Sequence, residues 1–332
     1  MVSTSETRIV VTRTPPGRAI AMLEAAGDVW LWTEDRVIPR DVFIEQTATA
    51  QAVYTMLTDT VDEELLDAAP HLGVVSNMAV GMDNIDVDAC TVRNVVVGHT
   101  PGVLADTVAD TAMGLLLMAA RRLVEGVDYV RSGSWGPWDP NLLLGRDIHG
   151  STVGIIGLGG VGAAVARRLA GFTCKLLYWN RKRHPEAEER LGVVYAALPE
   201  LLAQSDHVVV AVALAAETHH LIDRDALATM KPTASLVNVS RGGTVDQKAL
   251  AEALADGTIA AAALDVTDPE PIDMKDPLLE LSNCVIIPHL GSSSEQTRRA
   301  MAEMAAENLI AGLQDTQMPA SPNQQLLRDV TS

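Results

Sequence analysis

The amino-acid sequence predicts an α/β protein with two domains, each a doubly wound parallel sheet covered by helices. The chain has 332 residues, and a typical length of about 100–200 residues per domain makes two domains the expected number. Short β-branched runs alternate with longer stretches rich in Ala and Leu almost from end to end, which is typical of parallel sheets packed against helices. Hydrophobic residues make up 48% of the chain and charged residues 20%, a composition that excludes a disordered protein.

The first hundred residues contain five short apolar runs, which we interpret as the strands of the first domain. The runs lie at residues 8–12, 29–32, 52–57, 73–77 and 95–97. Helices are predicted over residues 17–26 and 62–69, and Thr60 or Asp62 is suited to cap the second of them. This alternation predicts a five-stranded doubly wound unit.

The rest of the chain contains a second series of strands. A long amphipathic helix is predicted over residues 104–122, and a loop with Trp and Pro over residues 132–144 leads to six further apolar runs. These runs lie at residues 152–156, 175–179, 207–212, 235–239, 259–265 and 284–287. Six strands separated by helices suit a dinucleotide-binding sheet. The last predicted helix covers residues 295–313, and the residues beyond about Gln314 are expected to form an exposed tail.

The charge and the cysteines limit the partners of the protein. The 25 Lys and Arg residues against 43 Asp and Glu residues give a net charge of −18, which disfavours nucleic acid and anionic membrane surfaces as partners. The three cysteines are an odd number and form no CxxC pair, which indicates reduced thiols, no zinc framework and a cytoplasmic location. We also expect no other metal site, because the acidic residues 83–88 lack the Gly and Glu of a calcium-binding loop.

A glycine-rich segment directly follows the predicted strand at residues 152–156 and opens the predicted helix at residues 163–170. It reads Gly157, Leu158, Gly159, Gly160, Val161 and Gly162, a G-x-G-x-x-G motif. In this context the glycines allow a tight turn and close approach of a pyrophosphate to the helix N-terminus. The alternative is a glycine-rich packing turn. We expect a dinucleotide site here.

The end of the second strand of this series indicates which cofactor is preferred. NAD-specific sites place Asp or Glu about 20 residues after the glycine motif, to bond the ribose 2′-OH. This chain has Asn180, Arg181, Lys182 and Arg183 at that place, and three cations with an amide favour a 2′-phosphate. We therefore expect NADPH to be the preferred cofactor, with NADH as the alternative. A solvated basic loop is the alternative interpretation.

The last three predicted strands each end in a residue suited to catalysis. Arg241 follows the fourth strand of the series, Glu270 the fifth and His289 the sixth. Ligands of open α/β sheets bind beyond the carboxyl ends of the strands, so we expect these side chains at one edge. Arg can hold a carboxylate or a carbonyl oxygen, His can move a proton near neutral pH, and Glu can orient that His.

With these motifs, the sequence resembles the D-isomer-specific 2-hydroxyacid dehydrogenase family over nearly the whole chain. The resemblance rests on six segments in family order, at residues 76–84, 99–104, 153–159, 238–242, 264–271 and 288–292. It implies that Arg241, Glu270 and His289 are the catalytic residues. It also implies that the backbone of Val80 and Gly81 holds the substrate carboxylate, with Asp265 bonding the nicotinamide carboxamide.

The resemblance also implies the domain organisation. The flavodoxin-like substrate domain is expected at residues 1–100 with 291–332, and the Rossmann dinucleotide-binding domain at residues 101–290. We further assign Val239 and Ser240 to cofactor binding, and Leu57 and Ser292 to substrate binding.

Within the family, the segment at residues 135–140 resembles the Trp-bearing loop of glyoxylate/hydroxypyruvate reductases. In that subgroup one Trp reaches the active site of the neighbouring subunit, which implies a homodimer in which Trp138 lines the partner's substrate pocket. The alternative is that Trp135 and Trp138 cover their own domain. We expect reduction of glyoxylate to glycolate and of hydroxypyruvate to D-glycerate. The alternatives are another D-2-hydroxyacid dehydrogenase, such as a hydroxyphenylpyruvate reductase, and a nucleotide-sensing protein resembling a corepressor.

Overall fold

The structure is a computed structural model in which residues 7–327 are described. The chain divides into two compact units. Met1–Leu104 and Ser294–Ser332 form the first, here called the terminal unit, and Ala105–Ser293 form the second, the central unit. Each unit contains one parallel sheet. The predicted fold class, two doubly wound α/β domains, is confirmed.

The strands agree with the apolar runs of the sequence. They are β1 (Arg8–Val11), β2 (Asp28–Leu31), β3 (Ala52–Thr55), β4 (Val74–Asn77), β5 (Val96–Gly98), β6 (Thr152–Ile156), β7 (Lys175–Trp179), β8 (Val194–Tyr195), β9 (His207–Val210), β10 (Ser235–Asn238), β11 (Ala261–Leu264) and β12 (Cys284–Ile286). Only β8 lacks a predicted counterpart, because two residues are too few to form a recognisable pattern.

The helices alternate with the strands. They are α1 (Ala19–Glu24), α2 (Arg40–Thr47), α3 (Glu63–Ala68), α4 (Val87–Val92), α5 (Ala105–Arg121), α6 (Leu123–Arg131), α7 (Gly160–Leu169), α8 (Pro185–Leu191), α9 (Leu198–Gln204), α10 (Arg224–Thr229), α11 (Gln247–Ala255) and α12 (Glu295–Leu313). The sequence does not predict α6. It begins directly after Arg122, whose left-handed φ of 54° ends α5. Among the described residues, no helix combines the length and the apolar character needed to cross a bilayer.

The sheet of the terminal unit has the order β2-β1-β3-β4-β5, the flavodoxin-like order. Its strands are apolar on both faces because helices cover both. Ile9, Val11 and Tyr54 pack on the side of α12, whereas Val10 and Val53 pack on the side of α3. The carboxyl ends of β3, β4 and β5 are adjacent, so the loops that follow these strands lie at the same edge of the sheet.

The residues after α12 do not form the exposed tail expected from the sequence. Met318, Asn323 and Leu327 are 2%, 2% and 5% exposed. The Asn323 amide accepts a hydrogen bond from the N–H of Val97 at 2.9 Å and donates one to the carbonyl oxygen of Val95 at 3.0 Å. The prediction of an exposed tail is therefore wrong as far as Leu327. The segment packs beside β5 because the buried Asn323 supplies hydrogen bonds to the backbone there. The last five residues lie outside the described part of the chain.

The sheet of the central unit has the order β12-β11-β10-β9-β6-β7-β8. The direction in which strands are added reverses between β6 and β9, as in the doubly wound folds that bind dinucleotides at this position. The strands β10, β11 and β12 are neighbours and are all parallel. Their carboxyl ends therefore place three loops side by side, at the same edge as the turn after β6.

Candidate active site

The glycine motif forms the turn between β6 and α7. Gly157 has a φ of 97°, a conformation that favours Gly. A Cβ at Gly162 would lie 1.9 Å from the carbonyl oxygen of Gly157, so only Gly lets the helix approach the turn this closely. A Cβ at Gly159 would meet no atom within 4 Å, and this open space gives a pyrophosphate access to the start of α7. The motif is completed by Leu158, Gly160 and Val161. These residues fit a dinucleotide.

The basic segment after β7 does not present all of its cations freely. Nε and Nη2 of Arg183 donate to the two carboxylate oxygens of Glu188, at 2.7 and 2.8 Å. These bonds, with a further one from the hydroxyl of Tyr178, lower the pKa of Glu188 to about 2. Arg183 is therefore already engaged in a bidentate ion pair, although its side chain remains 64% exposed.

Arg181 and Lys182 differ from Arg183. Both are exposed, and neither forms an ion pair with any other residue of the described range 7–327. The amide of Asn180 lies 2.7 Å from Nε2 of His184, which orients it at the end of β7. Of the three cations in the segment, Arg181 is the nearest in sequence to the strand end, and its guanidinium has no ion-pair partner among the described residues.

Glu270 and His289 are brought together at the edge of the central sheet. Nδ1 of His289 lies 2.8 Å from Oε2 of Glu270, and Oε1 of Glu270 accepts a hydrogen bond from the N–H of Thr267 at 3.1 Å. The two side chains are 26% and 33% exposed, so the pair is partly shielded but reachable from solvent. This is the arrangement in which a carboxylate orients an imidazole.

Glu270 carries a charge at neutral pH. Burial opposes its ionisation, but the hydrogen bond and charge of His289, the N–H of Thr267 and the charge of Arg241 together lower the pKa of Glu270. An ionised carboxylate only accepts hydrogen bonds, so the proton between the two side chains resides on Nδ1 of His289. The opposite nitrogen, Nε2, is then free to exchange a proton with a bound molecule.

Asp265 holds the loop that carries His289. Its side chain is 2% exposed and accepts hydrogen bonds from the N–H groups of Leu290 at 2.6 Å and Gly291 at 2.9 Å. Its carbonyl oxygen accepts a bond from the N–H of His289 at 2.9 Å. Burial raises the pKa of Asp265, although these N–H groups and the charge of His289 oppose the shift. Asp265 therefore positions the loop that carries His289.

Arg241 is anchored through its backbone. Its carbonyl oxygen accepts hydrogen bonds from Nδ2 of Asn238 at 3.0 Å and from Oγ1 of Thr244 at 2.7 Å. A Cβ at Gly242 would lie 2.0 Å from the carbonyl oxygen of Thr267, so the loops after β10 and β11 are packed together. Three residues that the sequence assigns to cofactor or substrate binding are buried in this unit, with 8% or 9% exposure: Val239, Ser240 and Ser292.

In the terminal unit, the loop after β4 leaves a row of N–H groups without acceptors. The carbonyl oxygens of Ala79, Val80 and Gly81 all accept hydrogen bonds, at 2.8, 3.0 and 3.1 Å. Within the described residues, the N–H groups of the same three residues donate to no acceptor. Consecutive free N–H groups make an anion-binding concavity. The loop can therefore bind a carboxylate.

The neighbouring loop, which carries the half-buried Leu57, is held by two polar side chains. Nδ2 of Asn84 donates to the carbonyl oxygens of Met56 at 3.1 Å and Asp59 at 2.8 Å. The carboxylate of Asp59 accepts bonds from the N–H of Met56 at 2.7 Å and from the hydroxyl of Thr12. Burial raises the pKa of Asp59. These bonds fix the position of Leu57.

The Trp-bearing segment is exposed. Trp135 and Trp138 are 68% and 85% exposed, so the interpretation that they cover their own domain is wrong. Large apolar side chains are exposed on both sides of them in the sequence, at 47–65%, namely Leu123, Val127, Val130 and Leu144. Leu123, Val127 and Val130 share one face of α6, because they are spaced by four and three residues.

Several residues that support these loops are not predicted from the sequence. They are Asp59, Asn77, Asn84, His99, Glu188 and Thr267. Most of them bind backbone groups or side chains in other parts of the chain, and the spacing of residues in a sequence does not predict such contacts. Among them, only His99 is the first residue after a strand, because it follows Gly98 at the end of β5. The rule that ligands lie at strand ends could have found it.

Fold and site together define a class of dehydrogenase. The family model described as D-isomer specific 2-hydroxyacid dehydrogenase, NAD binding domain, matches residues 113–291. The chain belongs to the D-isomer-specific 2-hydroxyacid dehydrogenase family, and the resemblance found in the motifs is confirmed.

Within that family, the chain is similar to glyoxylate reductases along almost its full length. It is 47% identical over 322 residues to the glyoxylate reductase of Korarchaeum cryptofilum, covering 97% of each chain. It is 44% identical over 317 residues to the glyoxylate reductase/hydroxypyruvate reductase of Homo sapiens, covering 94% of this chain and 97% of that protein. The NADPH-dependent glyoxylate/hydroxypyruvate reductase of Sinorhizobium meliloti, solved with NADP and malonate, has a TM-score of 0.84 at 32% identity and covers 99% of this chain and 100% of that one.

Proposed function

We propose that this protein reduces small 2-oxo acids, glyoxylate to glycolate and hydroxypyruvate to D-glycerate, with NADPH preferred over NADH. The observation that carries the proposal is the pair formed by Glu270 and His289 at the sheet edge that also carries the glycine turn. Similarity to glyoxylate reductases supports the choice of substrate.

His289 acts as the proton donor in this mechanism. A bound reduced nicotinamide supplies the hydride that forms the new C–H bond at the carbonyl carbon. Nε2 of His289 gives its proton to the carbonyl oxygen, which becomes the hydroxyl of the product. Glu270 stabilises the protonated imidazole before transfer and keeps its Nδ1 oriented afterwards. The overall change is one hydride and one proton added across the C=O bond.

The carboxylate and carbonyl oxygen of the substrate are assigned to separate groups. The free N–H groups of Val80 and Gly81 bind the carboxylate, and the guanidinium of Arg241 binds the carbonyl oxygen and stabilises the negative charge that develops there. Leu57, Ser292 and Trp138 border the substrate. Gly157 to Gly162 hold the pyrophosphate, Val239 and Ser240 contact the cofactor, and Asp265 bonds the carboxamide.

The preference for NADPH is attributed first to Arg181. Its guanidinium is exposed and unpaired among the described residues, and Asn180 and Lys182 stand on either side of it in the sequence. Arg183 contributes less than the sequence suggests, because its guanidinium is bound to Glu188. A 2′-phosphate is bound by charge-assisted hydrogen bonds, and the free guanidinium can form them without breaking another pair.

We further propose a homodimer and a cytoplasmic location. Helix α6 and the loop with Trp135 and Trp138 both expose large apolar side chains in an otherwise strongly acidic protein. A second copy of the chain is the partner that similarity to the reductase subgroup favours, and large exposed apolar surface is typical of such interfaces. The three free cysteines support a reducing compartment.

The test is a steady-state assay of purified protein with a panel of 2-oxo acids and both cofactors. We expect the absorbance of NADPH to fall on addition of millimolar glyoxylate or hydroxypyruvate, and to fall more slowly with hydroxyphenylpyruvate. His289→Ala is expected to lower kcat by roughly 10²–10⁴-fold, the usual contribution of general acid catalysis, with cofactor affinity retained. Binding of NADPH without turnover of any 2-oxo acid would contradict the proposal and favour a nucleotide-sensing protein.

A further inference from the structure

The three engaged carbonyl groups of the loop after β4 receive their hydrogen bonds from different donors. The N–H of Thr100 donates to the oxygen of Ala79, and Nδ2 of Asn77 donates to the oxygen of Gly81. The central carbonyl, that of Val80, is bound by a ring nitrogen, Nδ1 of His99, at 3.0 Å. His99 is thus the side chain that holds the middle of the loop.

This contact fixes the direction of one N–H group. The carbonyl of Val80 and the N–H of Gly81 belong to the same planar trans peptide and point in opposite directions. A donor that holds the carbonyl therefore aims the N–H to the other side. Because a carbonyl oxygen can only accept, the hydrogen bond also requires that Nδ1 of His99 carries a proton.

His99 is itself held firmly. Its carbonyl oxygen accepts a hydrogen bond from Nδ2 of Asn308 at 2.8 Å, and its N–H donates to the oxygen of Ala320 at 3.3 Å. Asn308 is fully buried in α12, and its Oδ1 accepts from the N–H of Ala320 at 2.9 Å. A Cβ at Gly98 would lie 2.6 Å from Cβ of Asn308, so β5 and α12 are in close contact at this point. The backbone that carries the ring has little room to shift.

We propose that His99 is a positioning residue for substrate binding: its Nδ1–H holds the Val80 carbonyl and thereby aims the Gly81 N–H at the substrate carboxylate. The inference rests on the proposed function, because it assigns the carboxylate to this loop. The role predicted for His99 lies in binding and not in proton transfer. Its removal should therefore weaken substrate binding more than it slows the chemical step.

The experiment compares His99→Leu with His99→Asn. Leu removes the donor, whereas Nδ2 of Asn can occupy the place of Nδ1 and donate to the same carbonyl. We expect KM for glyoxylate to rise about five- to tenfold in His99→Leu, the factor that corresponds to one neutral hydrogen bond, with kcat within about twofold of the native value. The inhibition constant of oxalate, used as a carboxylate probe, should rise by the same factor. The dissociation constant of NADPH should not change.

The matched variant separates positioning from general loss of structure. His99→Asn should keep KM and the oxalate inhibition constant within about twofold of native, as expected if one donor is exchanged for another. An unchanged KM in His99→Leu, or an equal loss in both variants, would overturn the inference. Absence of glyoxylate reduction by the native protein would instead overturn the proposed function.

A second measurement is independent of activity. Ring nitrogens of ¹⁵N-labelled histidine have different chemical shifts when protonated and unprotonated, and the signal of His99 is identified by its loss in His99→Asn. At a pH where the ring is neutral, we expect the Nδ1–H tautomer. A neutral His99 with the proton on Nε2 would contradict the hydrogen bond on which the inference is built.

Discussion

His289 and Glu270 face each other across two adjacent loops, with Nδ1 of His289 2.8 Å from Oε2 of Glu270. His289 has a φ of 51°, in the left-handed region that non-glycine residues rarely adopt. Its N–H bonds to the carbonyl oxygens of Asp265 and Ile287, at 2.9 and 3.0 Å, and these contacts keep the residue in this conformation. Unusual backbone geometry of this kind is concentrated at functional sites. The imidazole is thus held in place by its backbone as well as by its carboxylate partner.

The first prediction concerns the charge of Glu270. In Glu270→Gln the side chain can still contact Nδ1 of His289, but the negative charge that stabilises the protonated ring is lost. We expect the alkaline limb of the profile of kcat/KM against pH, measured for glyoxylate reduction, to move to lower pH. Asp268→Asn is the control, because Asp268 is a nearby carboxylate that is not bonded to His289. It should leave the alkaline limb of the profile unchanged. An unchanged profile in Glu270→Gln would show that Glu270 acts only through packing.

Glu270 also predicts a pH dependence of stability. The pKa of Glu270 is lower in the folded protein than its usual value, so its ionised form stabilises the fold above the unfolded-state pKa. This contribution is lost as pH falls through the lowered value. Glu270→Gln should therefore reduce Tm at neutral pH, and the difference from the native protein should shrink below about pH 4, where the free carboxyl is protonated. Thermal melts at several pH values test this, and a difference that grows towards acid would contradict it.

The cofactor preference can be tested with two arginines of one segment. Arg181→Ala should raise KM for NADPH by roughly tenfold, the effect of losing about 1.5 kcal/mol of charge-assisted hydrogen bonding, and leave KM for NADH within about twofold. Arg183→Ala is the matched control and should have the smaller effect, because its guanidinium is bound to Glu188. Adding Asn180→Asp to Arg181→Ala should shift preference further to NADH. A native enzyme that uses NADH ten times better than NADPH would refute the assignment.

Two glycines of the motif should respond differently to the same substitution. In Gly162→Ala the new methyl group would meet the carbonyl oxygen of Gly157, and we expect a loss of about 1–3 kcal/mol in unfolding free energy from overpacking. In Gly159→Ala the methyl group meets no protein atom, so Tm should stay near native while NADPH affinity falls at least tenfold. Thermal melts and fluorescence titration with NADPH measure the two effects. Equal cofactor affinity in native and Gly159→Ala protein would exclude close pyrophosphate approach at this position.

The α6 face and the Trp loop predict the oligomeric state. Native protein should sediment as a dimer, and Val127→Glu should shift it towards monomer by placing a charge in the apolar interface. Val92→Glu is the control, since Val92 is 80% exposed on α4 in the terminal unit. Trp138→Ala should stay folded, accept larger 2-oxo acids and lose efficiency with hydroxypyruvate. A monomeric native protein would remove the proposed cross-subunit role of Trp138.

Local sequence patterns are enough to place eleven strands of the two sheets and the motifs of the candidate site. Parallel strands buried on both faces are continuous apolar runs, so eleven strands can be located from these runs, while the two-residue β8 cannot. Residues in the first few positions after a strand, such as Arg241 and His289, are placed at a known sheet edge by that local position. The spacing of the glycines likewise indicates a tight turn between a strand and a helix, which is a local feature of the backbone. Each of these patterns involves residues that are close together in the sequence, so a single sequence is enough to recognise it.

Which polar groups already have a hydrogen-bond or ion-pair partner depends on the three-dimensional packing of the chain. Arg181 and Arg183 are equivalent in the sequence, and the difference between them arises because α8 brings Glu188 to one of them. The role proposed for His99 depends on the contact of its ring with the carbonyl of Val80, 19 positions away, and on Asn308 in α12, which holds its backbone. Asn323 likewise turns an expected exposed tail into packed structure through its bonds to β5. Hydrogen bonds between distant residues depend on orientation at the scale of tenths of an ångström, and neither propensity nor spacing contains that information.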